Sequence, residues 1–65
     1  MKVQSSTISE INHNGKVLIV TFVNGSEYVY EDVPTKIYEA FVNAESKGKY
    51  FHENISRQYK YLRVK

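Results

Sequence analysis

Few residues in this chain have the type and spacing to do chemistry. His52-Glu53 opens like a zinc-protease motif, in which two histidines one helical turn apart hold the metal and the glutamate moves the proton. The second histidine would stand at position 56, and Ser56 is there. His13 falls in an expected turn, the usual place for a solvated histidine. Ser5, Ser6 and Ser9 have no histidine–carboxylate pair implied by their spacing. Glu31-Asp32 adjoins an expected helix start, where carboxylates favour the positive end of the helix dipole without any catalytic duty. The chain has no cysteine, which excludes disulfides and thiolate zinc sites. The expectation is therefore a protein that is not an enzyme and holds no metal or cofactor.

Binding has better material. Tyr28 and Tyr30 sit two apart, so in a strand they share a face and could serve as walls of a core or as stacking platforms for bases. Lys47-Gly48-Lys49 lies just before an expected second helix, where backbone N–H groups and two ammonium groups could meet one anion. The same segment also reads as a plain helix–helix turn with solvated lysines. Charge is uneven along the chain. Residues 1–46 carry three lysines against six acidic groups, net −3, while residues 47–65 carry six basic groups against one, net +5. An asymmetry of that kind suits an anionic partner. No apolar stretch is long enough to span a bilayer, and MKVQSSTISE lacks an apolar signal core, so a cytoplasmic protein without membrane contact is expected.

The elements that must position these residues can be read from periodicity. KVLIVTFVNGSEYVY is two β-rich runs around Asn24-Gly25, the pattern of a two-residue hairpin turn. That register pairs Thr21 with Tyr28, Val20 with Val29 and Ile19 with Tyr30. It places Leu18, Val20, Phe22 and Val29 on one face, and Val17, Ile19, Thr21, Tyr28 and Tyr30 on the other. Asn14-Gly15 is a second turn. Ile8 and Ile11 are three apart, which requires a bulge or slipped register for both to face inward.

After Pro34 the apolar period lengthens. Ile37, Phe41 and Ala44, with Ala40 beside them, predict a helix over about 34–45, with Gly48 as its stop. Phe51 and Ile55 predict a short second helix, broken at residues 56–58. YKYLRVK ends the chain as a strand or extended tail. The fold class is α+β: a three-stranded antiparallel meander packed against a helix, then a short second helix and a C-terminal strand or tail, all one domain over residues 1–65. The expected core is Leu18, Val20, Phe22, Val29, Ile37, Phe41, Phe51 and Ile55. Since the helix takes the Leu18 face, the tail is expected to cover the opposite one and to form, with Tyr28, Tyr30, Arg57 and Arg63, an aromatic–basic groove.

Phe22, Gly25, Tyr28-Val29-Tyr30, Val33-Pro34, Tyr38, Ala44, Ser46 through Phe51, Ile55 and Tyr59 together resemble the KTSC domain. The resemblance runs from about Val3 to Val64. That family is named for its place at the C-terminus of some lysyl-tRNA synthetases, and it also occurs as small free-standing bacterial and phage proteins. It implies a fold unit without an established activity and RNA as the suspected partner. The positions it marks here are Tyr28, Tyr30, Lys47, Gly48, Lys49, Tyr50 and Phe51. Three functions stay open: RNA or single-stranded nucleic acid binding, a protein-interaction module (dimerising, or a phage-borne modulator of a host factor), and a small anionic nucleotide site at Lys47–Lys49. The oligomeric state is open as well.

Overall fold

The two Asn-Gly pairs both turn the chain, by different devices. In the computed structural model, which describes residues 2–65, Asn14 pairs with Val17, so Gly15 and Lys16 form a two-residue loop. Gly15 has φ +66° and Lys16 a negative φ, as in a II′ hairpin, which needs glycine only at the first central position. At the other turn the loop is one residue longer. The Phe22 N–H donates to Ser26 O at 2.8 Å and the Gly25 N–H to Phe22 O at 2.9 Å, leaving Val23, Asn24 and Gly25 outside the ladder. Gly25, at φ +94°, supplies the left-handed residue that closes a three-residue loop.

That extra residue overturns the expected register. Strand β2 (Val17–Phe22) pairs with β3 (Glu27–Tyr30) as Val20 with Tyr28, Ile19 with Val29 and Leu18 with Tyr30. A slip of one residue turns every side chain of a strand to the other face. Tyr28 and Tyr30 therefore stand on the packed face beside Leu18, Val20 and Phe22. Val29, expected in the core, joins Val17 and Ile19 on the other side.

β1 (Ile8–Asn14) completes the meander on the far edge of β2. Its register shifts between Ile8 and Glu10, and this bulge lets both Ile8 and Ile11 be fully buried. His13 is not in a turn. It pairs with Leu18 on the inner face, stacks on Tyr38 at 4.9 Å, and its Nε2 lies 2.8 Å from Val33 O. A carbonyl only accepts, so this nitrogen carries the proton. Asp32, at φ +58°, bends the chain out of β3 and brings Val33 back, where its N–H donates to Lys16 O at 2.7 Å and its side chain is buried.

Helix α1 (Thr35–Asn43) begins after Pro34, whose ring leaves no N–H to lose and whose carbonyl receives the N–H groups of Ile37 and Tyr38. Phe41 is its buried anchor, with Ile37, Tyr38 and Val42 packed around it. Ala40 is exposed, so the apolar stripe runs through Val42 instead. Gly48 does not stop this helix: α1 ends at Asn43, and Gly48 lies inside the first turn of α2 (Lys47–Asn54). Its φ is not positive either. A Cβ there would meet the Thr7 side chain at 3.6 Å, an ordinary contact, so neither the backbone angle nor the space requires glycine here.

The C-terminal segment is strand β4 (Tyr61–Arg63), antiparallel to β3. The four-stranded sheet runs in the order β1-β2-β3-β4. The tail does not fold over the open face as expected, because the free edge of β3 offers backbone partners. The Glu31 N–H donates to Lys60 O at 2.9 Å, and the Val64 N–H to Glu27 O at 2.8 Å. Leu62 consequently stays 67 % exposed, on the same side as half-buried Val17, Ile19 and Val29. Of the expected core, Leu18, Val20, Phe41 and Ile55 are fully buried, and Phe22, Ile37 and Phe51 pack partly buried against them. Ile8, Ile11, Tyr30 and Val33 complete the core. Among the described residues no helix is long and apolar enough to cross a membrane.

Candidate nucleic-acid interface

The shifted register decides what the tyrosine pair can do. Tyr30 is 2 % exposed and its ring meets the edge of Phe51 at 5.6 Å, so it is a wall. Tyr28, one pleat nearer the strand end, is half-buried and lies 6.5 Å from Tyr30 with the rings nearly parallel. β4 then brings Tyr61 to 5.5 Å from both rings. Tyr61 is 57 % exposed. Burial, reinforced by Tyr61 and Tyr28, pushes the Tyr30 phenol up to about 12. Its hydroxyl is therefore a neutral donor at any physiological pH.

These rings line a cleft of about 350 Å³ with Phe22, Phe51, Asn24, Ser26 and Ser56. Phe22 closes the floor by edge contacts to Tyr28 at 5.6 Å and to Phe51 at 5.3 Å. Arg63 opposes Tyr28 across the β3–β4 ladder, and its guanidinium lies 5.9 Å from that ring's centroid. Arg63 Nε also donates to Lys65 O at 2.9 Å, which steadies the plane over the ring. The exposed Tyr61 ring beside a guanidinium suits a planar, anionic chain such as a single nucleic acid strand.

The other residues singled out by type are distributed differently. Lys47, Gly48 and Lys49 line a separate polar cleft of about 360 Å³ with Gln4 to Thr7, Glu45 and Ser46. There Ser46 caps α2 by accepting the Lys49 N–H at 3.3 Å, and Lys47 Nζ donates to Ala44 O at 3.0 Å. Tyr50 is half-buried, stacked on Phe41 at 5.8 Å. Arg57 is exposed in the turn after α2; neither it nor Arg63 lines the aromatic cleft, although Arg63 lies over the Tyr28 ring at its edge. Among the described residues no cluster of three or more histidine, cysteine or acidic side chains could hold a metal. Reading by residue type missed Tyr61, Asn24, Ser26 and Ser56 as cleft residues. The alternation of Tyr59, Tyr61 and Arg63 signals a common face for Tyr61 and Arg63, but not which strand receives them.

A family model described as the KTSC domain matches residues 4–59. The chain belongs to the KTSC domain family. Its fold is similar to the crystal structure of a KTSC domain protein from Yersinia pestis, with a TM-score of 0.92 and 28 % identity, covering 100 % of this chain and 94 % of that one. An uncharacterized protein of Stutzerimonas stutzeri is 33 % identical over 64 residues, covering 94 % of this chain and 90 % of that protein, so small KTSC proteins of this size occur elsewhere. Lysine–tRNA ligases also carry a KTSC-like segment. That of Trichormus variabilis is 38 % identical over 63 residues, and that of a Nostoc species 46 % over 46 residues. The chain spans 11 % and 8 % of the length of those two ligases, covering 94 % and 71 % of its own.

Proposed function

We propose that this KTSC domain is a non-catalytic module that binds single-stranded RNA through the aromatic cleft, with Tyr28 and Tyr61 as stacking faces and Arg63 as the backbone contact. The observation that carries the reading is the exposed Tyr61 ring set 5.5 Å from Tyr28, with the Arg63 guanidinium 5.9 Å from the Tyr28 centroid. The basic balance of residues 47–65 supports it, as does the occurrence of similar segments in relatives named for a tRNA.

The test is fluorescence anisotropy with a labelled single-stranded RNA across a salt series. Counterion release predicts affinity falling linearly in log–log form, with a slope of about −0.7 for each phosphate contacted. Affinity that ignores salt would point instead to an apolar interface, for which the open sheet face of Val17, Ile19, Val29 and Leu62 is the available surface. Pull-down of the tagged protein from its native lysate, with and without nuclease, separates the two partner classes directly.

A further inference from the structure

One rim of the aromatic cleft has a fixed hydrogen-bonding polarity. Asn24 Oδ1 accepts the Ser26 backbone N–H at 3.0 Å and the Ser26 hydroxyl at 2.7 Å. A backbone N–H only donates, so the amide oxygen faces Ser26 and the orientation of the amide follows. Both acceptor directions of Oδ1 are engaged. Nδ2, with its two donors, is the end left for a ligand, and no acceptor among the described residues takes it. The hydroxyl protons of the lining serines are likewise turned to protein: Ser26 donates to Asn24, and Ser56 donates to His52 O at 3.1 Å.

An asparagine with both ends free pairs two-handed with adenine, donating to N7 and accepting from N6. Asn24 has lost the accepting half of that pairing to Ser26. It can still donate, and a ring carbonyl accepts with two lone pairs, whereas adenine's N1 and N7 acceptors each sit beside the N6 amino group, whose protons oppose the Nδ2 donors. From the single-stranded RNA reading above, on which this rests, we infer that Asn24 makes the cleft selective for an unpaired base bearing a ring carbonyl, uracil, guanine or cytosine, over adenine. Stacking alone gives the opposite order, because the larger purine of adenine covers more of an aromatic face than uracil does. A preference for uracil over adenine thus separates hydrogen-bond readout from stacking.

The experiment compares labelled oligouridylate with oligoadenylate of equal length at low salt, for the unaltered protein and for Asn24→Asp. Oligouridylate is expected to bind roughly fivefold more tightly, the effect of one hydrogen bond. Asn24→Asp keeps the acceptor for Ser26, and hence the turn, but removes both donors. Its added negative charge weakens both strands alike, so the ratio is the readout, and it should collapse to near one. A melting temperature matching the parent establishes that the turn survives. Equal binding of the two strands, or tighter oligoadenylate, overturns the selectivity and leaves RNA binding standing. A preference that persists in Asn24→Asp removes Asn24 as its source and overturns the inference. Failure of both strands to bind at low salt brings down the binding reading itself, and this inference with it.

Discussion

The two clefts flanking α2 make opposite use of their side chains. At the N-terminal end the residues carry the louder sequence signal, two lysines around a glycine at a helix start. Yet Lys47 Nζ is held by the carbonyl of Ala44, the residue that follows α1, and the Lys49 N–H is held by the Ser46 cap. The first bond ties α2 to the end of α1, and the second closes α2's own first turn. Beside the C-terminal half of the helix, the tyrosines look like ordinary packing residues, but the β3–β4 pairing leaves Tyr61 exposed next to half-buried Tyr28, with a guanidinium over the Tyr28 ring. Residue type alone is a poor guide here; what decides is whether a group's bonding capacity is already engaged by the fold.

The largest expected effect removes the comparison altogether. Phe41 is fully buried, and its ring stacks on Tyr50 and Phe51 of α2 at 5.8 and 6.1 Å. Phe41→Ala should cost about 3–5 kcal/mol, enough to unfold most of a domain this small. Thermal denaturation checks it; an unchanged melting temperature would take Phe41 out of the core.

Next comes the contrast between the clefts. Tyr61→Ala with Arg63→Ala should weaken single-stranded RNA binding by roughly tenfold or more, since stacking is worth about 1–3 kcal/mol per base. Both residues are exposed on β4, so folding should remain cooperative. Lys47→Ala should leave RNA affinity close to the parent's. Equal losses from the two changes would mean that the polar cleft shares the ligand. Tyr30 is unsuitable for this test because, at 2 % exposure, its removal would also open the core.

A third measurement sharpens the assignment of Tyr30 as a wall. Its phenol is raised from 10.0 to about 12, so the folded state holds that proton more tightly than the unfolded chain does. The corresponding stability is complete below pH 10 and is lost as pH rises through about 12. Tyrosinate absorbance followed through that range should show Tyr30 ionising near pH 12, with stability falling in parallel. Loss of the Tyr30 contribution already complete near pH 10, read as the difference from Tyr30→Phe, would contradict the burial.

The smallest effect concerns Gly48. With an ordinary helical φ and a Cβ position that meets Thr7 only at 3.6 Å, Gly48→Ala should stabilise the domain, by up to about 1 kcal/mol. A loss of stability would show that the approach of α2 to Thr7 tolerates no added carbon.

Much of this protein was legible from local pattern. Alternation along Val17–Phe22, the change of period after Pro34 and the inward pair Ile8 and Ile11 with its bulge are consequences of backbone geometry acting over a few residues. The motif residues from Phe22 to Tyr59 carried the family with them. Tertiary structure decided which face each tyrosine took. An Asn-Gly pair is compatible with a two-residue or a three-residue loop, which differ by one residue of register, and Asn24 closing onto Ser26 selected the longer one. His13 took its place on Tyr38 and Val33 through contacts about twenty residues distant in the chain, beyond the reach of any local pattern. The site followed the same rule. Tyr28 and Tyr61 are far apart in sequence, and they meet because β3 had an unpaired edge and the last residues of the chain supplied the hydrogen bonds to fill it.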